Sequence, residues 1–248
     1  MILSEAKILI TGGAGSIGSF ITAGLLPLVN KVIIIDKDDE LLNQIQHADN
    51  LMKLSCDITN PRAVQNTIKH IFEKEGGVNV CLNNAGIIHS EPLFNLLGKE
   101  DKKHSITNWK NVLDINLNGT FYVTANLAEQ MITKKEKGVI INISSISAQG
   151  NIGQSAYSAS KAAVEALTKT WSKELGMFKI RCACIAPGFF DTTSTRKSLS
   201  EAMVQKWERA VPLGKMGQPE ELLNAVKFII ENDYYNGKTL ALDGGLTI

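Results

Sequence analysis

With 248 residues, 44% of them hydrophobic and 21% charged, the chain has the composition of a globular α/β protein with ample core material. Its formal net charge is +1 and its basic residues are dispersed, so we expect neither a nucleic-acid surface nor binding to anionic membranes. The apolar runs have the length of strands and are too short to span a bilayer. Met1 leads almost directly into a strand, so we expect no secretory signal.

The beginning of the chain has the pattern of a nucleotide-binding unit. An apolar strand at 7–11 leads into a glycine-rich turn, a helix extends from about Ser16 until Pro27, and a second apolar strand at 31–35 is closed by Asp36. Glycines let the backbone approach a pyrophosphate, the helix N-terminus supplies N–H donors, and the acid accepts from the adenosine ribose. The predicted cofactor contacts in this unit are Gly12, Gly15, Ser16, Ile17, Gly18 and Asp36. The plain alternative is a tight strand–helix connection without a ligand.

Asp36 also bears on the choice of cofactor. A carboxylate accepts a hydrogen bond from the ribose 2′-hydroxyl but repels a 2′-phosphate, which favours NAD over NADP. Lys37 follows directly and softens that preference if it faces the same site. We therefore expect NAD as the cofactor.

Two further strands with a helix between them follow. We expect a short helical segment at 38–47, strands at 51–55 and 78–82, and a helix that starts at Pro61 behind a capping Asn60 and ends near Glu75. Asp57 either accepts from an adenine amino group or caps that helix. Asp57 is therefore a candidate cofactor contact, and Asn83-Asn84-Ala85-Gly86 follow the second of these strands.

A long polar loop at 87–107 precedes a helical stretch at 108–135. Loops of that length usually bind a ligand, so we expect substrate contacts there. The helical stretch contains Asn116, whose side chain competes with the backbone for hydrogen bonds and is mildly unfavourable inside a helix. We expect it to hold a kink or a water molecule.

The fifth strand, at 138–144, ends at Ser144, and a helix that continues to about residue 175 carries Tyr157 and Lys161. Four residues apart on a helix, these two side chains share one face. An ammonium beside a phenol favours the phenolate and lowers its pKa, so the pair is a candidate acid–base device. The alternative is a surface lysine lying on a tyrosine. Small residues such as Ala163 and Ala166 line the same helix and suggest close packing against a neighbour, such as another subunit.

The C-terminal part completes the alternating pattern. We expect a sixth strand at 179–185, an irregular substrate segment at 189–217 with one helical piece at 200–210, a helix from Pro219 to about 231, and a seventh strand at 239–242. The prediction is an α/β fold in one domain, 1–248: a Rossmann-type, doubly wound sheet of about seven parallel strands with helices on both faces.

The four cysteines are Cys56, Cys81, Cys182 and Cys184. No Cys/His cluster with metal-ligand spacing is evident, so we predict no metal site. Buried free thiols fit a reducing compartment, and we expect a cytoplasmic protein.

Taken together, these motifs resemble the short-chain dehydrogenase/reductase family in its compact single-domain branch. The resemblance covers essentially the whole chain and rests on motifs that occur in the family's order. They are the glycine turn Thr11 to Gly18, Asp57, Asn83 to Gly86, Asn116, Ser144, Tyr157 with Lys161, and Pro187-Gly188 through Thr192.

The resemblance implies hydride transfer between the nicotinamide of the cofactor and a secondary alcohol or ketone. Tyr157 exchanges the proton, Lys161 binds the nicotinamide ribose and lowers the pKa of Tyr157, Ser144 holds the substrate oxygen, and Asn116 holds a water. Asn84 to Gly86 pass under the cofactor, and a segment after the sixth strand covers the carboxamide. The contacts implied in that segment are Pro187, Gly188, Phe190 and Thr192. Those implied after the third and fourth strands are Asp57, Ile58, Asn84, Ala85 and Gly86. The family also implies a homo-oligomer, a dimer or tetramer.

One position departs from the compact branch, which usually has glycine where this chain has Ser16, whereas here the glycine falls one place earlier, at Gly15. That spacing resembles the extended branch, which modifies nucleotide sugars. An epimerase or dehydratase that recycles bound NAD is thus one alternative function, and a non-catalytic dinucleotide-binding protein is another. The compact branch is favoured because the chain ends with its Asp243-Gly244-Gly245 motif.

The substrate is predicted only by resemblance. The loop at 91–108, residues 153–156 and residues 186–190 look like type 2 3-hydroxyacyl-CoA dehydrogenases, and 3-oxoacyl-carrier-protein reductases are also similar. The side chains of Phe189, Phe190, Met203 and Trp207 suit an acyl chain, or else pack a lid. We expect a small-molecule alcohol or ketone, with an acyl thioester as one option.

Overall fold

A computed structural model describes residues 1–96, 102–192, 195–196 and 200–247. The predicted substrate loops 87–107 and 189–217 are therefore described in part, with 97–101, 193–194 and 197–199 outside the described residues, as is 248.

Seven parallel strands form one sheet in the order β3-β2-β1-β4-β5-β6-β7. The strands are β1 (Lys7–Thr11), β2 (Lys31–Asp36), β3 (Leu51–Ser55), β4 (Val80–Asn83), β5 (Gly138–Ile143), β6 (Ile180–Pro187) and β7 (Thr239–Leu242). The expected parallel, doubly wound α/β sheet is confirmed. β4 begins two residues later than the apolar run suggested, and β6 extends through Pro187, where it pairs with Leu242 of β7.

The helices that follow the strands cover both faces of the sheet. They are α1 (Ser16–Leu25), α2 (Asp39–Gln44), α3 (Pro61–Glu75), α4 (Ile106–Leu113), α5 (Thr120–Thr133), α6 (Ser155–Glu174), α7 (Glu201–Ala210) and α8 (Pro219–Glu231), with a π-helical turn at Asp114–Gly119 between α4 and α5. In the described part of the chain, no helix combines the length and the apolar character needed to cross a membrane.

Side-chain alternation along the strands divides the core between the two faces. On β1, Ile8 and Ile10 pack into the cluster that contains the buried side of α1 and α8, while Leu9 points to the cluster under α3 and α5. Successive residues of a strand point to opposite faces, so a strand buried on both sides reads as one continuous apolar run. This is why the central strands were recognisable in the sequence.

The helix expected at 108–135 is interrupted and begins earlier. The Ser105 side chain accepts from the backbone N–H of Asn108 and starts α4 at Ile106, two residues before the expected position. A π-helical turn then carries Asn116 and interrupts the regular helix. Such turns insert an extra residue into the helix and are common at functional sites.

The order of the strands places a crevice at one edge of the sheet. β1 lies between β2 and β4: the chain proceeds from β1 through β2 to β3 on one side of it and then returns to β4 on the other side. In parallel α/β sheets, ligands bind at the carboxyl ends of the strands where this reversal occurs. The glycine turn after β1 and Asn84 after β4 lie on the two sides of that point.

Candidate active site

The turn after β1 requires glycine at specific positions. Gly12 has a left-handed backbone (φ +62), and a Cβ placed on it would lie 2.9 Å from Cα of Ala85. A Cβ on Gly18 would lie 2.0 Å from the carbonyl oxygen of Gly12, closer than any real side chain approaches. These two glycines allow the turn, the first helical turn and the segment after β4 to pack together.

Gly15, the glycine of the unusual spacing, has a different role. It is the N-cap of α1 with φ −68, and a Cβ there would lie 3.4 Å from the carbonyl oxygen of Gly12, an ordinary contact. Its backbone conformation is one that any residue type can adopt, and Ser16 occupies the first helical position without strain. The departure from the compact-branch pattern therefore leaves the turn's geometry regular.

The N-terminus of α1 and Asp36 face the same turn. Gly15 has no side chain to cap the helix, so the N–H groups of its first turn remain available to an anion. Asp36, at the end of β2, accepts from the backbone N–H of Ala14 (3.1 Å) and of Asp38 (3.2 Å). The donors and the carboxylate are thus placed as a dinucleotide requires, with pyrophosphate at the helix and ribose at Asp36.

Asn84 fixes the segment after β4 to the glycine turn. Its side-chain amide donates to the carbonyl oxygens of Thr11 and Gly12, each at 3.1 Å. The Thr11 hydroxyl in turn accepts from the backbone N–H groups of Asn84 and Ala85. Thr11 is a supporting residue to which the sequence pattern gave no separate role.

Asp57 and Ile58, the predicted contacts after β3, have structural roles of their own. Oδ1 of Asp57 accepts from the backbone N–H and the hydroxyl of Thr59, while Asn60 caps α3. Of the two roles considered for Asp57, the helix cap therefore belongs to Asn60. Ile58 is buried, and its side chain occupies the space beside Gly119 of the π-helical turn.

Asn116 holds the loop after β4. Its Oδ1 accepts from the backbone N–H of Ile87 (2.8 Å), and its Nδ2 donates to the carbonyl oxygen of the same residue (2.9 Å) and to the Ser160 hydroxyl (3.2 Å). The side chain is 1% exposed. The amide thus pairs with a single loop residue as a strand neighbour would, which gives its position in the π-helical turn a physical reason.

Gly86 brings the loop against two predicted catalytic residues. A Cβ on Gly86 would lie 3.2 Å from Oδ1 of Asn116 and 3.4 Å from Nζ of Lys161. The buried Lys161 ammonium donates to the carbonyl oxygen of Ile143 (2.7 Å), and burial lowers its pKa from 10.5 to about 8. The structure therefore places Gly86, Asn116 and Lys161 together at the crevice.

Tyr157 stands on the same face of α6 as Lys161, as the spacing predicted. Nζ of Lys161 lies 5.8 Å from the centroid of the Tyr157 ring. Burial raises the pKa of the Tyr157 phenol, and a hydrogen bond with Ser145 partly offsets that rise. In the protein alone, burial therefore sets the direction of the shift, and the lowering of the Tyr157 pKa that we expected from Lys161 is not found.

The two adjacent serines after β5 have different hydrogen-bond partners. Ser144 donates to Oε1 of Glu165 (2.8 Å) and lies within 3.2 Å of the carbonyl oxygen of Lys161, so its hydroxyl is engaged by residues of α6 that lie beyond Tyr157 along the helix. The next residue, Ser145, reaches Tyr157 instead. Successive side chains of an extended segment point to opposite sides, so the hydroxyl of Ser145 points to the side opposite to that of Ser144, where Tyr157 lies.

The segment after β6 is anchored beside β7. The backbone N–H of Gly188 donates to Leu242, and a Cβ on Gly188 would lie 2.8 Å from Cα of Asp243. Pro187 ends β6, and Thr192 is buried and hydrogen-bonds Thr195. The Phe190 ring is also buried and fills the space beside Gly217, so only its backbone remains for a cofactor contact.

Comparisons with known proteins show the family to which the chain belongs. The family model described as short chain dehydrogenase matches residues 6–203. The chain is 35% identical to the 3-oxoacyl-acyl-carrier-protein reductase of Thermotoga maritima, over 98% of this chain and 99% of that one. It is 32% identical to human 3-hydroxyacyl-CoA dehydrogenase type-2, over 96% and 93%. A solved short chain dehydrogenase from Bacillus anthracis superposes with a TM-score of 0.88 at 30% identity, covering 98% and 97% of the two chains.

Proposed function

This chain belongs to the short-chain dehydrogenase family and is an oxidoreductase with a nicotinamide cofactor, and we propose that it interconverts a secondary alcohol and a ketone using NAD. The observation that carries the proposal is the convergence of Tyr157, Ser145 and Lys161 beside Gly86, at the carboxyl ends of β4 and β5. A phenol, a hydroxyl and an ammonium supply the proton donor, the oxygen ligand and the positive charge that carbonyl reduction needs.

The residues fit a dinucleotide. A Cβ at Gly12 or Gly18 would collide with the backbone of Ala85 or of Gly12, so glycine keeps the turn close-packed; the start of α1 has no side-chain cap, and Asp36 closes β2 beside it. When bound, the cofactor supplies or accepts the hydride at its nicotinamide ring. Lys161 would contact the nicotinamide ribose, and the backbone after β4 and β6 would border the ring.

We assign the proton transfer to Tyr157. Its phenol is 8% exposed, which shields the transferred proton from bulk water. In the protein alone burial raises its pKa, so transfer near neutral pH needs additional positive charge. The Lys161 ammonium and the charge of an oxidised nicotinamide act in that direction. Ser145 then holds the substrate oxygen, and Asn116 positions the loop that borders the site.

The preference for NAD rests on Asp36. Its carboxylate already orders the backbone of Ala14 and Asp38, so it is held in place at the end of β2. A phosphate at the ribose 2′ position would meet this fixed negative charge, whereas a hydroxyl would donate to it.

For the substrate we propose an acyl thioester carrying a 3-hydroxy or 3-oxo group. Support comes from the similar proteins, one named for 3-oxoacyl and the other for 3-hydroxyacyl compounds. It also comes from the apolar segment after β6, where the rings of Phe189 and Trp207 stack at 4.1 Å. Met203 on the same helix as Trp207 is half exposed. Together these groups offer an acyl chain an apolar surface.

The test is a substrate panel with NAD, in which 3-hydroxyacyl-CoA thioesters are compared with simple secondary alcohols by the growth of NADH absorbance. Tyr157→Phe should lower turnover by at least about 10²-fold, because it removes the proton-transferring group. Calorimetry should find its NAD affinity nearly unchanged. Tyr234→Phe is the matched control, since that tyrosine is 99% exposed, and it should behave as the unmodified enzyme. Retained turnover in Tyr157→Phe would exclude the mechanism, and equal rates on all alcohols would exclude the thioester preference.

We also propose a homo-oligomer in the cytoplasm. The four cysteines are free and buried, which suits a reducing compartment. An apolar surface formed by Leu117, Phe121, Ala163 and Leu167 lies open between the π-helical turn, α5 and α6. Phe121 is 47% exposed there. A second copy of the chain would cover this surface, and light scattering should then give a multiple of the chain mass that Phe121→Arg reduces.

A further inference from the structure

The loop after β4 brings together two histidines and a carboxylate outside the site described above. One ring nitrogen each of His89 and His104 and one carboxylate oxygen of Glu91 all lie within 4.8 Å of one another. We propose that these three residues form a binding site for a divalent transition-metal ion of the zinc type. The site goes beyond the proposed oxidoreductase function and does not depend on it.

The backbone places the first two ligands. Glu91 bridges to Gln154 as a strand neighbour would, and its N–H donates to the carbonyl oxygen of Gly153. In an extended segment alternate residues lie on one side, so His89 and Glu91 point the same way. Nε2 of His89 lies 2.9 Å from Oε2 of Glu91.

The third ligand comes from the other end of the loop. His104 directly precedes Ser105, the N-cap of α4, and its Nδ1 lies 3.7 Å from the same Glu91 oxygen. These two distances bracket the separation of about 3.3 Å that tetrahedral ligands have around an ion with bonds of about 2.0 Å. The three side chains therefore need only small shifts to reach a common ion.

The surroundings hold the ligands in place. Glu91 accepts from the backbone N–H of Ser105 (2.8 Å) and from Nδ2 of Asn108 (3.0 Å), which orient its carboxylate. Nδ1 of His104 lies 2.9 Å from the carbonyl oxygen of Ser105, and it would exchange that hydrogen bond for the ion. His104 is 7% exposed and packs edge-on against Trp109. Contacts of this kind orient the ligands of natural metal sites and strengthen their binding.

The donor set selects the class of ion. Two imidazoles and one carboxylate suit zinc and its neighbours in the first transition row, whereas magnesium and calcium prefer oxygen ligands alone. Three protein ligands leave a fourth tetrahedral position for water. The ion would fasten the two ends of the loop to each other at the start of α4.

The three ligands escape notice in the sequence because His104 lies far along the chain from His89 and Glu91, and the loop alone brings them together. The prediction of no metal site rested on cysteine spacing and on the absence of a local cluster. The folded loop brings the three side chains together, which their spacing in the sequence does not indicate.

The experiment measures Zn²⁺ binding to chelator-treated protein by equilibrium dialysis and calorimetry, with Mg²⁺ as the comparison ion. His89→Gln is the decisive variant, because glutamine can still donate to Glu91 but offers no imidazole nitrogen. His89 is partly exposed, so the variant should fold, which its melting curve will verify. The control is the double variant His47→Gln with His70→Gln, which removes the chain's two other histidines, both exposed.

We expect the unmodified chain and the control variant each to bind one Zn²⁺ per chain. His89→Gln should bind Zn²⁺ at least tenfold more weakly, and Mg²⁺ should show no comparable binding to any of the proteins. Zn²⁺ should also raise the melting temperature of the unmodified and control proteins, because an ion that binds only the folded chain stabilises it. Binding of equal strength in His89→Gln would overturn the proposal. The absence of stoichiometric Zn²⁺ binding to the unmodified chain would also overturn the proposal. Glu91 would then only hold the loop through its hydrogen bonds.

Discussion

The hydroxyl of Ser144 donates a 2.8 Å hydrogen bond to Oε1 of Glu165, so of the two adjacent serines after β5 only Ser145 reaches the Tyr157 phenol. From this we expect Ser145→Ala to lower kcat by about 10- to 10³-fold, as the loss of an oxygen-binding donor does. Ser144→Ala should keep kcat within a few-fold and lower the unfolding free energy by about 1 kcal/mol through the lost bond.

The two serine variants control for each other, since they remove the same group from adjacent positions. Steady-state kinetics and denaturant unfolding on both variants provide the measurement. The reverse ranking, with Ser144→Ala the slower enzyme, would restore the assignment that the sequence motif suggested.

The serine example shows where prediction from sequence reaches its limit. The strands were recognisable because short-range periodicity determines such elements: the predicted bounds of the buried β1 and of the partly buried β3 coincide with the observed ones. Tyr157 and Lys161 were predictable because four residues on a helix fix their common face. The direction of a hydroxyl at a strand end depends instead on the partner across the gap, here Glu165 on α6.

Long-range partners explain the other differences as well. Asn116 was noticed as an awkward residue in a helix, but the π-helical turn and its pairing with Ile87 depend on a loop distant in sequence. The effect of burial on Tyr157 likewise depends on what packs over the phenol. A local pattern identifies which residues carry chemistry, and tertiary contacts decide how each is oriented and charged.

The glycine turn supplies a second prediction. Gly18→Ala should destabilise the protein by about 1–3 kcal/mol, because its methyl group would collide with the carbonyl oxygen of Gly12 and the turn would have to shift. Gly15→Ala, three residues earlier, meets only an ordinary contact and should cost less than about 1 kcal/mol. Thermal or urea unfolding of the protein without cofactor measures both. Equal destabilisation by the two substitutions would contradict the assigned geometry.

A third prediction concerns the cofactor. The unmodified protein should bind NAD more tightly than NADP, and Asp36→Ala should narrow that gap by about tenfold, since it removes the negative charge that opposes a 2′-phosphate. Asp39→Ala is the matched control, because Asp39 is an exposed carboxylate in the first turn of α2. Titration of both cofactors into the three proteins gives the affinities. Equal affinities for NAD and NADP in the unmodified protein would refute the role of Asp36.

The buried ammonium of Lys161 makes stability depend on pH in a specific direction. Burial lowers its pKa from 10.5 to about 8, so between these values the unfolded chain binds a proton that the folded chain has released. Stability then rises with pH in that window, because the unfolded state binds more protons. A difference of about 2.5 pKa units corresponds to roughly 3 kcal/mol at most.

Lys161→Met removes this titration while keeping an unbranched apolar side chain in place. The unfolding free energy of Lys161→Met minus that of the unmodified protein should therefore fall by up to roughly 3 kcal/mol as the pH rises from 8 to 10.5. Guanidinium unfolding at several pH values measures the difference, in which the contributions of the buried thiols largely cancel. Lys169→Met, an exposed lysine on the same helix, should leave the difference flat. Parallel pH curves for Lys161→Met and the unmodified protein would show that the ammonium is not buried in the folded chain.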